Sequence, residues 1–260
     1  MDLDLAGKRA LITGGSKGIG RAIAAALLAE GAHVTLAARD ADILAATRAD
    51  LSAEAPGRVE VVAADLGTDA GRLALVEAAG TPDILVNNAG AIRAGKLGDL
   101  AINDWRQDWE LKVFGYIHLC QILQPAMAKR GTGTILNIIG MAGRANRAAY
   151  ISGSAANAAL IAFTQALGAE AQGQGLRVFG INPSPTLTDR MTDFMKRKAQ
   201  AEYGDESRWR EMVEPDRFPY GRPAQPEEVA ALACMLLSPH AGYLNGCVVD
   251  LDGGGQWTGT

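Results

Sequence analysis

The segment Thr13–Gly20, which reads Thr-Gly-Gly-Ser-Lys-Gly-Ile-Gly, constrains the fold more than any other part of the chain. It follows the apolar run Ala10-Leu11-Ile12 and precedes an alanine-rich helical stretch, so the predicted order is strand, tight turn, helix. Glycines allow the sharp turn and let a pyrophosphate come close to the free N–H groups at the helix start. Because such a turn can also be purely structural, the rest of the chain has to decide between the two interpretations.

The remainder of the chain alternates short apolar runs with helical segments, which include a long helix predicted at about 102–129 and another at 150–172. Strands are predicted at 8–13, 33–37, 58–63, 83–86, 134–139, 176–181 and 247–251. Nearly continuous apolar strands alternating with helices indicate a parallel sheet that is covered on both faces. We therefore predict a single α/β domain over residues 1–260, a doubly wound parallel sheet of about seven strands with helices on both faces.

Composition excludes several classes of protein. The formal net charge of −4 argues against a nucleic-acid-binding protein, and no apolar run is long enough to cross a membrane. The N-terminus lacks the layout of a signal peptide. The cysteines form no Cys-x-x-Cys pair, which indicates reduced thiols rather than disulfides or metal ligands; they are Cys120, Cys234 and Cys247. A cytoplasmic protein without nucleic-acid or membrane partners is the expectation.

Residues 191–223 depart from the alternating pattern. The stretch is charged, yet it contains several large apolar side chains, among them Phe194, Trp209 and Phe218. It is either a surface excursion with amphipathic helices or a lid over a substrate pocket, since long insertions often serve as lids.

Further motifs follow the glycine segment in a fixed order. They are Asp65-Leu66, Asn87-Asn88-Ala89-Gly90, Tyr150, Asn182-Pro183 and Asp252-Gly253-Gly254. With these motifs the chain resembles the short-chain dehydrogenase/reductase family over essentially its whole length. The resemblance implies a Rossmann fold, a nicotinamide dinucleotide cofactor and oxidoreductase activity. It also implies a homo-oligomer, a tetramer or a dimer.

The resemblance assigns the cofactor-binding residues. The glycine segment contributes Gly14, Ser16, Lys17, Gly18, Ile19 and Gly20. Asp65 and Leu66 are expected to border the adenine. The remaining expected contacts are Asn88, Ala89 and Gly90 near the adenosine ribose, and Tyr150, Pro183 and Thr188 toward the nicotinamide.

The end of the second strand selects the dinucleotide. NAD-preferring relatives usually place an acid there, whereas this chain has Ala38 followed by Arg39. A guanidinium pairs with a 2′-phosphate that an acid would repel, and Lys17 adds a second cation nearby. The expectation is NADP(H) in preference to NAD(H), although Asp40 is close enough to keep the second alternative open.

The catalytic positions depart from the family pattern. The family uses a tyrosine acid/base, a lysine one helical turn later, a serine from the preceding strand and an asparagine from the long helix. Aligned on Tyr150, the lysine position is Ser154, the serine position is Gly140 and the asparagine position is Lys112. The loop between Gly140 and Tyr150 is also shorter than is usual in the family.

The charge that activates the tyrosine therefore has to come from elsewhere. Lowering a tyrosine pKa from about 10 to about 7 takes roughly 4 kcal/mol, which one ammonium about 4 Å away supplies. Ser154 can hydrogen-bond to a ribose hydroxyl but carries no charge. One hypothesis is that Lys112 reaches the space left by Ser154 and lowers the pKa of Tyr150; the alternative is a solvated or ion-paired helix lysine.

Three functions are compatible with this sequence. The first is an NADP(H)-dependent oxidoreductase acting on a small-molecule carbonyl or secondary alcohol, with Tyr150 as acid/base. The second is a catalytically impaired NADP(H)-binding homologue that serves as a sensor or scaffold, and the third is another reaction type on the same fold. Cations near the pocket mouth either attract an anionic substrate or are solvated loop charges; they are Arg93, Lys96, Arg144 and Arg147.

Overall fold

A computed structural model describes residues 1–255, so the last five residues of the predicted domain lie outside the described part. Its sheet confirms the predicted fold. The strands are β1 (Arg9–Thr13), β2 (His33–Ala38), β3 (Val59–Ala63), β4 (Ile84–Asn87), β5 (Gly133–Ile138), β6 (Leu176–Pro183) and β7 (Cys247–Leu251). All neighbouring pairs are parallel, in the order β3-β2-β1-β4-β5-β6-β7.

Helices connect the strands and cover both faces of the sheet. They are α1 (Gly18–Ala29), α2 (Ala41–Glu54), α3 (Asp69–Ala79), α4 (Ile102–Trp109), α5 (Gly115–Arg130), α6 (Ile151–Ala171), α7 (Asp189–Tyr203) and α8 (Pro226–Leu237). One buried cluster joins α1 and α8 to one sheet face, and a second joins α3, α5 and α6 to the other. The alternation of apolar strands with amphipathic helices thus gives two apolar layers around one sheet.

The sheet reverses its winding between β1 and β4. The chain moves from β1 through β2 to β3 on one side, and then from β4 to β7 on the other. Ligands of doubly wound sheets bind at the carboxyl ends of the strands that flank such a reversal. The glycine segment follows β1 and the Asn87-Asn88-Ala89-Gly90 motif ends β4, so both motifs lie at this reversal.

The predicted long helix from 102 to 129 is interrupted. Between α4 and α5 the residues Glu110–Phe114 form a π-helical turn, and Gly115 N–H donates to the Glu110 carbonyl oxygen. A π-turn accommodates one more residue than a regular turn. Lys112 lies in this widened turn.

The segment that departs from the alternating pattern contains α7 and two 3₁₀ turns, Glu206–Met212 and Pro215–Arg217. Thr188 begins α7 as its N-cap, and its side chain accepts from Met191 N–H at 3.4 Å. The segment packs beside the carboxyl ends of β6 and β7, where Thr186 forms an isolated bridge with Ala224.

Candidate functional site

The glycine segment forms a close-fitting turn after β1. Gly14 has a φ of 65° and Gly18 a φ of 51°, a region that side chains other than glycine rarely adopt. A side chain at Gly20 would collide with the Gly14 carbonyl and would bring its Cβ to 2.5 Å from Asn88 Nδ2. The turn therefore depends on glycine at these positions.

Asn88 and Thr13 hold the turn in place. Asn88 Nδ2 donates to the carbonyl oxygens of Thr13 and Gly14 at 3.0 Å and 3.1 Å. The Thr13 hydroxyl accepts from the N–H groups of Asn88 and Ala89 at 2.9 Å and 3.0 Å. The residues after β4 thus support the glycine segment, whereas Gly90 lies farther along and is exposed.

The start of α1 is suited to an anion. Its N-cap is the exposed Lys17, whose side chain makes no capping hydrogen bond. The N–H groups of the first turn therefore have no side-chain cap, and the helix dipole adds a positive potential there. Ser16 is held by its carbonyl oxygen, which accepts from Thr47 Oγ1 at 2.9 Å, and Ile19 packs against the larger buried cluster.

At the end of β2, the side chains of Arg39 and Asp40 have different surroundings. Asp40 is the N-cap of α2, and its carboxylate accepts from Ile43 N–H at 3.0 Å. Arg39 is exposed, directly after the last residue of β2. The acid is therefore engaged in capping a helix, while the guanidinium faces solvent beside the predicted ribose position.

The other predicted cofactor contacts lie along the same edge of the sheet. Asp65 is exposed, with Oδ1 accepting from Gly67 N–H at 3.1 Å, and Leu66 is buried. Pro183 ends β6 and is buried. A side chain at Gly18 would bring its Cβ to 3.1 Å from Thr188 Cγ2, so the end of β6 comes close to the glycine segment.

Tyr150 lies immediately before α6, which begins one residue later than predicted. Its φ of −140° and ψ of 41° are those of an N-cap outside the regular helix, and its carbonyl oxygen accepts from Ser154 N–H at 2.9 Å, one turn later. The Tyr150 ring is half-buried and packs against the cluster of Ile92, Val113 and Ala156. Within residues 1–255 no group is hydrogen-bonded to the Tyr150 hydroxyl, which leaves it available to a ligand.

The ring of Tyr150 lies directly over Gly153. A Cβ at Gly153 would collide with the Cε1 and Cζ atoms of the ring and lie 2.6 Å from Cδ1. The phenol thus occupies the space that a side chain at position 153 would fill. The Ser154 hydroxyl accepts from Arg147 N–H at 3.1 Å and so closes the loop before α6.

Two charged groups of opposite sign act on Tyr150. Burial raises the pKa of this tyrosine, and the carboxylate of Asp108 raises it further, while the guanidinium of Arg190 lowers it. Asp108 is buried and pairs with Arg93, whose Nη1 is 3.1 Å from Oδ1. The net direction leaves Tyr150 protonated at neutral pH. Lys112 is not among the groups that shift this pKa, contrary to the hypothesis that it lowers the pKa of Tyr150.

Lys112 reaches the carboxyl end of β5. Its Nζ donates to the Ile139 carbonyl oxygen at 2.6 Å, and its stem passes beside Gly90. Burial, with a smaller contribution from Arg190, lowers the pKa of Lys112 to about 8. No carboxylate within the described part of the chain pairs directly with this ammonium. It is therefore a partly desolvated base rather than a solvated helix lysine.

Gly140 and Asn157 were not recognised as a pair in the sequence. Gly140 has a φ of 131°, and its carbonyl accepts from Asn157 Nδ2 at 3.3 Å. Asn157 is 3% exposed, and its Oδ1 has no hydrogen-bond partner in the described structure. Asn157 follows Gly153 by four residues, so it lies on the face of α6 that carries the Tyr150 ring. The only sequence signal was an amide in a run of small side chains.

Arg190 was also missed. It belongs to the first turn of α7, is exposed, and donates through Nη2 to the Ile92 carbonyl at 3.2 Å. Its position two residues after Thr188 carried no signal in the sequence. The contact joins α7 to the loop in which Ile92 supports the Tyr150 ring.

A cavity of about 1290 Å³ is lined in part by Arg190, whereas Tyr150 and Lys112 are not among its lining residues. Met141, Ser184 and Thr188 line it together with residues of α7 and of the following 3₁₀ turns. The walls combine apolar side chains with cations, among them Met191, Phe194, Met195, Arg190, Arg197 and Lys198. Arg144, by contrast, pairs with Asp250 at 3.4 Å, and Arg93 is engaged by Asp104 and Asp108.

Within the described residues, no group of three or more His, Cys, Asp and Glu side chains could hold a metal ion. The helices of residues 1–255 include none that combines the length and apolar character needed to span a bilayer.

The fold and the glycine turn define a dinucleotide-binding α/β protein. A family model described as short chain dehydrogenase matches residues 8–199. The chain is 35% identical to the rhamnolipids biosynthesis 3-oxoacyl-(acyl-carrier-protein) reductase of Pseudomonas aeruginosa over 260 residues, with 96% of each chain covered. It is 33% identical over 261 residues to L-xylulose reductase of Bos taurus, with 98% of each covered.

Solved structures agree with these relatives. L-sorbose reductase of Gluconobacter frateurii, complexed with NADPH and L-sorbose, superposes with a TM-score of 0.92 at 34% identity. The match covers 97% of this chain and 98% of that one. The chain therefore belongs to the short-chain dehydrogenase family.

Proposed function

We propose that this protein is an NADP(H)-dependent oxidoreductase that transfers hydride between nicotinamide and a carbonyl or secondary alcohol. Two observations carry the proposal: the partly desolvated Lys112 donates to the Ile139 carbonyl after β5, and the Tyr150 hydroxyl has no hydrogen-bond partner within residues 1–255. The guanidinium of Arg190 lowers the pKa of both groups. Lysine is costly to bury without a partner or a purpose, and perturbed pKa values concentrate at functional sites.

The residues at the reversal between β1 and β4 fit a dinucleotide. The turn depends on glycine at position 20, and α1 begins without a side-chain cap, so the N–H groups of its first turn are available as donors to a pyrophosphate. We propose NADP(H) rather than NAD(H), because Arg39 is free to meet a 2′-phosphate while Asp40 caps α2. Asp65, Leu66, Asn88, Ala89, Pro183 and Thr188 would complete the binding surface.

Tyr150 would act as the proton donor in the direction of carbonyl reduction. The cofactor supplies the hydride when it is bound. Because burial raises the pKa of Tyr150, the phenol is protonated at neutral pH and can give its proton to the developing alkoxide. The guanidinium of Arg190 stabilises the resulting phenolate, since it lowers the same pKa. Lys112, with a pKa of about 8, can return a proton during turnover.

Gly140 would occupy the position of the family's serine, and it has no hydroxyl to bind the substrate carbonyl. This feature supports the second candidate, an NADP(H)-binding homologue without turnover that acts as a sensor or scaffold. The raised pKa of Tyr150 points the same way if no other group binds the carbonyl oxygen. The two candidates agree about the cofactor and differ only about chemistry.

The substrate would be an anion with an apolar part. The cavity walls bring Arg147, Arg190, Arg197 and Lys198 together with methionine and phenylalanine side chains. Cations in a partly closed cleft attract anions, and apolar walls bind hydrocarbon. We propose that residues 191–223 cover this substrate as a lid.

The test begins with fluorescence titrations of NADPH and NADH. Turnover with NADPH is then measured on ketoses and 3-oxoacyl thioesters, each with and without a carboxylate. Lys112→Ala is expected to lower kcat about 100-fold or more, because it removes a general acid/base group. Lys129→Ala, at the exposed end of α5, is the matched control and should leave kcat unchanged.

The outcomes separate the candidates. Tight NADPH binding with turnover that collapses in Lys112→Ala supports the reductase. Tight binding without turnover on any substrate favours the sensor or scaffold, and unchanged turnover in Lys112→Ala contradicts the role of Lys112.

A further inference from the structure

A chain of hydrogen bonds joins Lys112 to the opposite edge of the site. Lys112 Nζ donates to the Ile139 carbonyl oxygen at 2.6 Å. The N–H of that same peptide group belongs to Gly140 and donates to Asn182 Oδ1 at 3.3 Å. Asn182 Nδ2 in turn donates to Asp250 Oδ1 at 2.7 Å. One peptide group and one side-chain amide therefore separate a buried ammonium from a carboxylate.

The fold builds this chain from neighbouring strands. Asn182 and Asp250 are paired residues in the parallel ladder of β6 and β7, so their side chains leave the sheet on the same side. Asn182 is fully buried, and the backbone of Gly140 has a φ of 131°. Three residues that are far apart in sequence thus have fixed positions relative to one another.

The dipoles in the chain point the same way. Each amide accepts at its oxygen from the side of Lys112 and donates from its nitrogen toward Asp250. Hydrogen-bonded amides aligned in this way polarise each other, which strengthens every bond in a partly buried site. A positive charge at one end and a negative charge at the other are both stabilised.

We propose that Asp250 is the counter-ion of Lys112, acting through Asn182 and the Ile139–Gly140 peptide group. Asp250 is a positioning residue, because it touches neither the ammonium nor the reacting atoms. It helps to keep Lys112 charged although burial disfavours the charged form. The effect of Asp250 on Lys112 does not depend on the proposed function, whereas its consequence for catalysis does.

Other groups around Lys112 also affect its pKa. Arg190, on α7, lowers the pKa of Lys112, and Tyr150 is neutral in the relevant range because its own pKa is raised. Arg144 approaches Asp250 Oδ1 at 3.4 Å and competes for the same oxygen. Removing the charge of Asp250 therefore lowers the pKa of Lys112, whereas removing Arg144 raises it.

The experiment reads the titration of Lys112 directly. Protein labelled with ¹³C at the lysine Cε atoms is titrated between about pH 6 and pH 10 by NMR, a range that brackets the expected midpoint. The Lys112 signal is assigned by its loss in Lys112→Met. In the parent protein the midpoint should lie at about 8.

Asp250→Asn is expected to lower the midpoint by about half a pH unit or more, as removal of a charge at this range predicts. Asp252→Asn is the matched control, because it makes the same change two residues away, where Oδ1 accepts from Gly254 N–H instead. The control should shift the midpoint by less than half as much. Equal shifts in the two variants, or no shift in Asp250→Asn, would overturn the proposal.

Arg144→Gln provides a second variant at an exposed position that is expected to fold. Its midpoint should move upward, and a downward shift would contradict the proposal. Because the midpoint is measured without substrate or cofactor, it tests this inference independently of the proposed function. Lys112→Ala that retained turnover would remove the catalytic role of Lys112 and leave the titration result intact.

Discussion

At the carboxyl ends of β1 and β4 the site is built from backbone. Gly14 and Gly18 adopt positive φ, and Asn88 closes the turn through main-chain carbonyls. At the carboxyl ends of β5, β6 and β7 the site is built from side chains of distant residues. There the position of Lys112 depends on Ile139, and that of the Tyr150 ring depends on the absence of a side chain at Gly153.

This difference teaches where substitutions can be compensated. A backbone turn that needs glycine has no substitute residue, so its sequence pattern must persist if the turn is to persist. A side-chain site can move its functional groups among neighbouring positions, provided that they still converge. The two sides of the sheet should therefore respond to mutation in different ways.

The largest effect is expected from Gly20→Ala. The new Cβ would collide with the Gly14 carbonyl, which is backbone and cannot move without opening the turn. We expect NADPH affinity to fall by about 100-fold or more, together with a loss of stability of several kcal/mol. Fluorescence titration and thermal unfolding measure the two effects.

Gly98→Ala is the control for that substitution, because nothing lies within 4 Å of a Cβ at this position. Its affinity and melting temperature should match those of the parent. If Gly20→Ala bound NADPH as the parent does, the backbone turn would not be the dinucleotide site.

An intermediate effect is expected from Gly153→Ala, on the side-chain half. The methyl group would displace the Tyr150 ring, which can rotate away without disturbing the backbone. We expect kcat to fall about 10- to 100-fold, as for a misplaced acid/base, with NADPH affinity unchanged within about twofold. Ala155→Ser, at an exposed position of the same helix, serves as the matched variant. Parent-like kcat in Gly153→Ala would argue that the position of the ring is irrelevant to turnover.

At neutral pH the smallest effect is expected from Lys112→Met, and it concerns the free energy of unfolding. The folded protein releases the Lys112 proton at about pH 8, whereas the unfolded chain keeps it to about pH 10.5. Between these values the unfolded state binds more protons, so the stability of the parent rises with pH relative to the variant.

At pH 7 the variant should be as stable as the parent or more stable by about 1 kcal/mol, because a buried charge is replaced by an apolar side chain. Above pH 8 the parent gains about 1.4 kcal/mol per pH unit relative to the variant, so the difference should reverse sign before pH 10. Denaturant unfolding at both pH values measures it, and a difference that is independent of pH would mean that Lys112 has an ordinary pKa.

The sequence was sufficient for the sheet and for the glycine turn. Apolar runs and glycine positions depend on local physics, and the predicted strands agree with the observed ones to within two residues at each end. It was not sufficient for the position of the Tyr150 ring, which fills the space over Gly153. A residue that fills the space of another leaves no periodic signal.

The sequence also did not reveal the long-range contacts of Arg190 and Asp250. Arg190 meets Ile92 across 98 positions of sequence, and Asp250 meets Asn182 across 68. Such contacts follow from the register of strands and from helix packing, which a single sequence does not fix to the ångström. The prediction that Ser154 and Lys112 are catalytic remains to be tested.

The π-helical turn at Glu110–Phe114 has a consequence for how this protein can diverge. Each helical residue turns the chain by about 100°, so deletion of one residue there would restore a regular helix and rotate one flank against the other. If α5 kept its buried face, with Tyr116 and Leu123, then α4 and Lys112 would turn away from β5. Length changes in this turn should therefore be rare among functional descendants, even where substitutions are frequent.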